Sequence, residues 1–365
     1  MEYLIIFLIV IVLSVYNERL THRSRIISLV FVCGYIVLLM GLRYRVGIDT
    51  MNYMSSYDYT PELKGFFDND FTETRFEPGY LLLCALCRLV TKDFWLLQLV
   101  HALILNICVF IFLYRRTINP FTGIAIYFVL TWLYFNTEVM RESLAIAIFL
   151  LNYENLKKRR WIAYYLLTLI SISFHYSAVI LLLFPLVKFV KLNILYIAAC
   201  VCILMAMPLI EGFAEAISVV SIADRVMNNV NGADTLNLNW RIANTIRSLI
   251  CPIIAMIVYH RLHIETKEKS YILLHILLGI GAFTIPIIFS RFTNYTQMFV
   301  VVYFANILSI ARYRPFLKYL LVVILCFSQM FYYSEMFWAW YPYESVYTMR
   351  IISERESLWF NYFGI

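Results

Sequence analysis

Charged residues are scarce in this chain of 365 residues, where Asp, Glu, Lys and Arg together make up 15%. A soluble domain usually has about a quarter of its residues charged. Apolar residues make up 62%, and they form more blocks of about 14–20 residues than one soluble core can bury. The net charge of +7 comes from short clusters between these blocks, which is not the pattern of a nucleic-acid-binding protein. The composition therefore excludes a soluble domain and predicts a polytopic membrane protein.

Alternating polarity, internal repeats and low-complexity tracts are also absent from the sequence. Without alternation a transmembrane barrel is excluded, so the spans are predicted to be helices. The first block has no positively charged segment before it and no small-residue cleavage site after it, which predicts an uncleaved span. We expect one all-α domain over residues 1–365, with about 12 transmembrane helices and a half-helix at about 78–90. The predicted spans are 3–16, 26–42, 94–114, 120–135, 138–155, 161–173, 175–190, 192–210, 243–260, 270–289, 294–311 and 315–333.

Basic residues recur in alternate short loops, which assigns those loops to the cytoplasm. The clusters follow the spans that end near residues 16, 114, 155, 190, 260 and 311. The segment 161–190 is either one tilted helix or two short spans that meet near Phe174–His175. Two short spans keep the basic clusters on one face, so we prefer them, and both termini then lie outside.

The opposite face has the long loops, at about 43–77 and 211–241, and a tail at 334–365. Eleven of the thirteen basic residues on this face are arginine. Orientation alone makes no distinction between lysine and arginine. The preference for arginine therefore indicates recognition of phosphate or carboxylate by a planar fork of donors. The alternative is structural pairing with the acidic residues of the same loops.

The stretch "GLRYRVGIDTMNY" follows the second predicted span and is the first candidate site. Arg43 and Arg45 emerge at the level of the lipid headgroups, Gly47 permits a turn, and Asp49 and Tyr53 follow. This order suits a lipid-linked phosphate beside an acidic partner. The alternative is a pair of arginines that extend to the membrane surface, with Asp49 as their counter-charge.

The motif "FEPGYLLL" opens the half-helix, with Glu77 just before a proline at the helix start. Glu77 is either a carboxylate at the mouth of a site or only the cap of its own helix. The motif "NTEVMRESLAIA" opens the fifth span, and Glu138, Arg141 and Glu142 have the spacing of one helical face. Charge at this depth is a functional candidate, and an internal Glu138–Arg141 pair is the alternative.

Three further candidates lie near the outer ends of spans. His175 in "SFHYSA" is placed in the outer part of the bilayer, where it is either a proton acceptor or a structural histidine. Arg291 and Tyr295 in "SRFTNYTQMF" are one helical turn apart, and either bind substrate or anchor the helix at the interface. Tyr343 belongs to the cluster "AWYPYESV", which is a sugar platform or an interfacial aromatic belt.

These motifs, in this order and from about residue 40 to 345, resemble the EpsG/Wzy-type polysaccharide polymerases of bacterial envelopes. The stretch "GLRYRVGIDTMNY" is the most specific element, and the usual Arg-Gln of the family reads Arg141–Glu142 here. The resemblance implies a GT-C-like helical bundle in the bacterial inner membrane. It also implies a glycosyltransferase that joins undecaprenyl-pyrophosphate-linked repeat units on the periplasmic or outer side, without a metal or other cofactor.

The resemblance implies roles for the candidate residues. The leaving group is a lipid pyrophosphate, and Arg43, Arg45, Arg141 and Arg291 would stabilise its charge. His175 is the first choice of base for the acceptor hydroxyl, and Asp49 or Glu77 the second. Tyr53, Glu138, Tyr295 and Tyr343 complete the predicted substrate-binding set.

The predicted partners are the lipid-linked donor and acceptor glycans and the membrane lipids, with a chain-length regulator protein as a further candidate. Nucleic acid is not expected. Two alternatives remain. A flippase for lipid-linked oligosaccharides needs a polar path open to both faces, and transporters often contain repeats. An O-antigen ligase would differ only in its acceptor.

Overall fold

The computed structural model of the chain describes residues 2–60, 62–64, 66, 76–205, 238–261, 268–310 and 339–363. Within these ranges the regular secondary structure is helical, and the one strand-type pairing is an isolated antiparallel bridge between Arg43 and Ser345. The all-α fold class is therefore confirmed.

The described residues of the first half of the chain form nine α-helices. They are α1 Glu2–Tyr16, α2 His22–Gly41, α3 Thr50–Asp58, α4 Pro78–Arg88, α5 Trp95–Arg116, α6 Pro120–Tyr127, α7 Leu133–Thr137, α8 Met140–Lys157 and α9 Trp161–Phe174. A π-helical turn, Phe128–Trp132, joins α6 to α7. The half-helix predicted at about 78–90 is α4, and each of the first five predicted spans coincides with one of these helices or with the α6–α7 pair.

The described later part begins with a 3₁₀ helix, Tyr176–Phe189. The α-helices that follow are α10 Ile194–Met205, α11 Leu238–Arg261, α12 Lys269–Thr284, α13 Pro286–Ile310 and α14 Ser353–Phe363. The predicted span at 315–333 lies outside the described residues, as do most of the predicted loop at 211–241 and the first residues of the predicted tail.

The chain forms two compact units, which we call the first unit, residues 1–178 with 308–365, and the second unit, residues 179–307. The half-helix and the motifs "GLRYRVGIDTMNY" and "NTEVMRESLAIA" belong to the first unit. Arg291 and Tyr295 belong to the second. The prediction of one domain over the whole chain stays a prediction.

Two helices of the described residues, α2 and α5, are long and apolar enough to cross a membrane, with mean hydropathies of 2.0 and 2.5. The predicted number of about 12 spans stays a prediction. Helix α9 shows how the first unit faces its surroundings. It buries Tyr164, Thr168 and Ser171 and exposes leucines and isoleucines on the opposite side. A helix that buries polar residues and exposes large apolar ones has the pattern of a lipid-facing helix.

Buried amides connect the helices of the first unit. Asn152 of α8 donates to the main-chain oxygen of Tyr164 in α9 at 2.8 Å. Asn106 of α5 donates to Asn136 of α7 at 3.0 Å, and Tyr127 donates to Asn106 at 3.3 Å. In a medium without water each such bond satisfies two polar groups that have few other partners. These contacts fix the positions of α7, α8 and α9, which contribute to the candidate site.

The predicted long loop at 43–77 is partly helical, because it contains α3, and the C-terminal segment packs against its first residues. Tyr44 N donates to Glu344 O at 2.8 Å, and Val346 N donates to Leu42 O at 2.9 Å. The guanidinium of Arg355, which is buried, donates to main-chain oxygens of Tyr44 and Pro342. The tail therefore covers the stretch that the sequence marks as most specific.

Helix α9 ends at Phe174, and His175 has an extended backbone with φ −159° and ψ 127°. The break predicted near Phe174–His175 is therefore present. The predicted common face of Glu138, Arg141 and Glu142 is wrong, because α8 begins only at Met140. Glu138 lies in the turn between α7 and α8, where its side chain takes a different direction from that of Arg141.

Candidate active site

Glu77 is the centre of the candidate site. It precedes Pro78 at the start of α4, and its side chain makes no hydrogen bond to its own helix, so it does not act as the helix cap. One carboxylate oxygen forms an ion pair with Arg141 at the start of α8. The other accepts a hydrogen bond from His175 Nδ1 at 2.8 Å and one from Tyr176 N at 3.3 Å. The Glu77 side chain is only 3% exposed, so the carboxylate depends on these partners.

Gly79 explains how α4 and α9 come this close. A Cβ at this position would lie 2.4 Å from Ser173 Oγ and 2.7 Å from the main-chain oxygen of Ser173. Only a residue without a side chain lets the first turn of α4 cross the last turn of α9. This crossing brings Glu77 to His175, and the glycine in "FEPGY" is the signal for it.

Arg141 is nearly enclosed but retains a small exposed surface. Its guanidinium lies over the ring of Phe76, 4.3 Å from the ring centre, and Tyr53 is within hydrogen-bonding reach. Its side chain is 16% exposed, and its buried Nε has no hydrogen-bond partner among the described residues. Glu77 and the Phe76 ring hold the fork in place, so its exposed part keeps a fixed orientation toward an anion that enters from that side.

His175 lies between two carboxylates. Its Nδ1 donates to Glu77, and its Nε2 lies 3.9 Å from Glu142 Oε2. Because an ionised carboxylate only accepts hydrogen bonds, the proton of the neutral ring is on Nδ1 and Nε2 has the lone pair. The His175 side chain is 15% exposed. The ring can therefore accept a proton at Nε2, and both carboxylates stabilise the cation that results.

The ionisation of Glu77 follows from these contacts. Burial by itself raises the pKa of its carboxyl group, but the hydrogen bond from His175 and the charge of Arg141 outweigh burial and lower the pKa to about 2. A carboxylate with so low a pKa is a weak base. The geometry thus favours Glu77 as the residue that positions Arg141 and His175, rather than as the base that was its second predicted role.

Glu138 holds the turn of the "GLRYRVGIDTMNY" stretch. Its two carboxylate oxygens accept from Ile48 N and Asp49 N, each at 3.0 Å, and the hydroxyl of Thr137 donates to the same group at 3.0 Å. Gly47 has φ +101°, and a Cβ there would lie 2.5 Å from Thr137 Cβ. The turn therefore requires glycine, and Glu138 fixes its amides.

Asp49, Arg45 and Tyr53 surround this turn. Asp49 is half-buried at the start of α3, where its carboxylate accepts from Asn52 at 3.4 Å. Arg45 has a left-handed backbone, with φ 52°, and its guanidinium lies 5.0 Å from the ring centre of Tyr44. Tyr53 is buried, and its hydroxyl donates to Glu138 O at 3.3 Å. Tyr53 is thus the residue of this stretch that approaches Arg141.

Arg43 is fully buried, and its guanidinium donates to the main-chain oxygens of Met40 and Val46. Its Nη2 also approaches Met140 Sδ, at 3.5 Å. In this arrangement Arg43 has no exposed surface for a phosphate, and it holds the end of α2 against the start of α8. The sequence does not reveal this, because a buried arginine and an interfacial one follow a span equally well.

The remaining predicted substrate-binding residues are Tyr343, Arg291 and Tyr295. Tyr343 donates to the main-chain oxygen of Leu39 at 2.9 Å, so its hydroxyl connects the C-terminal segment to α2. Arg291, which is half-buried, and Tyr295, which is fully buried, lie on α13 in the second unit. No group of three His, Cys, Asp or Glu side chains in the described ranges is arranged to hold a metal ion.

Sequence reasoning did not single out Gly79, Phe76 or Tyr176. The signal for Phe76 and Gly79 is their position on either side of the Glu77–Pro78 pair in "FEPGYLLL". Tyr176 contributes a main-chain amide, which no residue type encodes.

A family model matches residues 26–345, with the description EpsG family. The chain belongs to the EpsG family. This is a family of polysaccharide polymerase-like proteins, so the match confirms the resemblance noted in the motifs. Together with the apolar helices, the family indicates a membrane protein with a role in polysaccharide synthesis. No curated protein and no solved structure matches the chain significantly.

Proposed function

We propose that this EpsG-family chain is a polymerase that joins undecaprenyl-pyrophosphate-linked oligosaccharide repeat units on the outer side of the bacterial inner membrane. The observation that carries the proposal is the position of the Glu77 carboxylate, which binds Arg141 through one oxygen and His175 through the other. Glycosyl transfer from a pyrophosphate needs a cation for the leaving group and a base for the acceptor. The Glu77 cluster, defined as Glu77, Arg141, Glu142 and His175, has both side by side.

In the proposed reaction an acceptor hydroxyl attacks the anomeric carbon of the donor sugar. The bond from that carbon to the pyrophosphate oxygen breaks as the new C–O bond forms on the opposite face, which inverts the anomeric centre. His175 Nε2 takes the hydroxyl proton, and Glu77 and Glu142 stabilise the imidazolium. The lipid pyrophosphate leaves with the electron pair of the broken bond, and Arg141 stabilises its charge.

The other candidates have supporting roles in the proposal. Arg45, Asp49 and Tyr53 lie around the turn that Glu138 holds, and we propose that they contact the pyrophosphate or the adjoining sugar. Arg43 acts through the position of this turn. Arg291, Tyr295 and Tyr343 remain proposed substrate-binding residues on the sequence argument alone. The outer location is supported by the basic clusters, which recur in loops on the opposite face.

The test is polymerisation in vitro by the purified chain in lipid nanodiscs, with a defined undecaprenyl-pyrophosphate-linked repeat unit as the only substrate. A ladder of products that differ by one repeat, and that persists in excess EDTA, is the expected result. In a second reaction with lipid A added, transfer to lipid A without any ladder in the first reaction would indicate a ligase. Translocation of the lipid-linked unit across liposomes without any new glycosidic bond would indicate a flippase.

A further inference from the structure

A cavity of about 440 Å³ lies at the start of α5, within the first unit. This volume falls in the range of roughly 300–1,000 Å³ that is usual for small-molecule sites. Its walls include Tyr44, Phe94, Trp95, Tyr347 and Met349, together with Asp93. No member of the Glu77 cluster lines it, so the cavity is distinct from the site described above.

The lining of this cavity suits a neutral sugar. The flat faces of Trp95 and Tyr347 can pack against the C–H faces of a pyranose ring, and Tyr347 is 83% exposed and open to a ligand. Asp93 is exposed, and its carboxylate accepts from Thr91 Oγ1 at 3.1 Å while retaining acceptor capacity for sugar hydroxyls. A phosphate is disfavoured, because Asp93 repels it and the Arg43 guanidinium in the wall is directed to main-chain oxygens.

An acyl chain is also a poor fit for this cavity. The charged residues Lys92 and Asp93 stand exposed at its edge, just before α5 begins. An acyl chain placed there would leave the hydrocarbon region for a charged surface, which is unfavourable for each CH₂ group transferred. A sugar, whose hydroxyls require polar partners, has no such cost.

The position of the cavity relative to Arg141 follows from the contacts between α5 and α8. His101 Nε2 lies 2.8 Å from Ser143 Oγ, which places these two residues at the same level. Arg116 at the end of α5 pairs with Glu154 near the end of α8, so the two helices run in the same direction. Arg141 is therefore level with the turn that precedes His101. Trp95 lies about one helical turn, roughly 5 Å, beyond that level, toward the start of α5 and away from its Arg115–Arg116 end.

We propose that this cavity binds the outer sugar rings of the donor glycan whose pyrophosphate lies at Arg141. The inference rests on the proposed function. A glycan joined to a membrane-anchored pyrophosphate extends away from the bilayer, and the cavity lies in that direction from Arg141 if the basic end of α5 is cytoplasmic. Because Asp93 is anionic, the site selects neutral or amino sugars over uronic acids.

The test measures binding and polymerisation separately. The probe for binding is the lipid-free oligosaccharide released by mild acid from the lipid-linked repeat unit of the host, titrated against the full chain in nanodiscs by saturation-transfer NMR. We expect Trp95→Ala and Tyr347→Ala to weaken this binding at least tenfold. Arg141→Lys should leave it unchanged. Tyr59→Ala is the matched control, because Tyr59 is as exposed as Tyr347 but does not line the cavity.

For polymerisation the substrates are the full lipid-linked repeat and a donor truncated to its first sugar. Trp95→Ala should raise KM for the full donor and not for the truncated one. Unchanged binding in both aromatic variants overturns the inference, even if the wild-type chain polymerises normally. Binding that depends on Trp95 in a chain without any polymerase activity overturns the proposed function and leaves the sugar site standing. If Trp95→Ala does not fold, Tyr347→Ala alone tests the sugar site. This variant is expected to fold, since an exposed side chain contributes little to stability.

Discussion

Glu77 and Arg141 form an ion pair although 64 positions separate them in the chain. The same carboxylate accepts a hydrogen bond from His175. One side chain thus connects the starts of α4 and α8 with the end of α9. A change in charge at Glu77 therefore affects both the cation and the base of the proposed reaction.

Arg141→Lys should reduce the polymerisation rate about 100-fold, the loss typical of removing one positioned donor to developing charge. Lysine keeps the charge but lacks the planar fork of the guanidinium. That fork can pair with Glu77 and still present N–H groups to a phosphate. The measurement is kcat in the nanodisc assay with lipid-linked repeats. The control is Arg88→Lys at the other end of α4, where the guanidinium donates to the main-chain oxygens of Tyr57 and Asp58. Equal activity of the two variants would refute a direct role for Arg141.

Glu77→Gln should destabilise the protein in a pH-dependent way. The pKa of Glu77 falls from 4.5 to about 2 on folding, which corresponds to about 3 kcal/mol. Because the folded pKa is the lower one, this stability is fully present above about pH 4.5 and is lost as the pH falls toward 2. Thermal unfolding of the wild type and the variant should differ most near neutral pH, and the difference should shrink below about pH 4.5. A difference that stays constant with pH would contradict the ion-pair account.

His175→Gln separates the proposed role of His175 as a base from its role as a hydrogen-bond donor to Glu77. The glutamine amide can still donate to Glu77, but it cannot take a proton at neutral pH. We expect kcat to fall by a factor of about 100 or more, with little change in donor KM or in thermal stability. His22→Gln is the control, since His22 is exposed and, among the described residues, its side chain bonds to the Tyr114 hydroxyl at 3.2 Å. A rise in KM without loss of kcat would make the role of His175 structural.

Glu138→Gln should loosen the turn of the "GLRYRVGIDTMNY" stretch. Glutamine has one acceptor oxygen where the carboxylate has two, so one of the amides of Ile48 and Asp49 loses its partner, at a cost of about 1–3 kcal/mol. The variant should unfold at a lower temperature and have a higher donor KM. Glu154→Gln is the matched control, because Glu154 pairs with Arg116 in a partly exposed position. An unchanged KM in Glu138→Gln would separate the turn from substrate binding.

The sequence predicted the helical class, the short helix after Glu77 and the break before His175. Each depends on a local signal, such as a proline at a helix start or the length of an apolar block. It did not predict which acid Arg141 would pair with. The sequence left open a pair with Glu138, three positions before Arg141, but α8 starts after Glu138, and the start of a helix depends on contacts with distant residues.

The sequence could not predict the burial of Arg43, for a related reason. An arginine just after a span can extend to the headgroups or turn back to main-chain oxygens, and the residue types around it are the same in both cases. The choice depends on Met140 and on the C-terminal segment, which reaches Leu42 and Tyr44 from about 300 residues away. The same segment places Tyr343 against Leu39, where it connects helices.

Gly79→Ala tests whether the crossing of α4 and α9 sets the Glu77–His175 contact. The added Cβ would meet Ser173 Oγ at 2.4 Å and the main chain of Ser173 at 2.7 Å, and the main chain cannot move aside as a flexible side chain can. The two helices must separate, so Glu77 moves from His175 and polymerisation should fall at least tenfold. The control is Gly34→Ala in α2, where nothing lies within 4 Å of the added Cβ and alanine favours the helix by about 1 kcal/mol. If the two alanine variants retain equal activity and thermal stability, the close crossing does not position the Glu77 carboxylate.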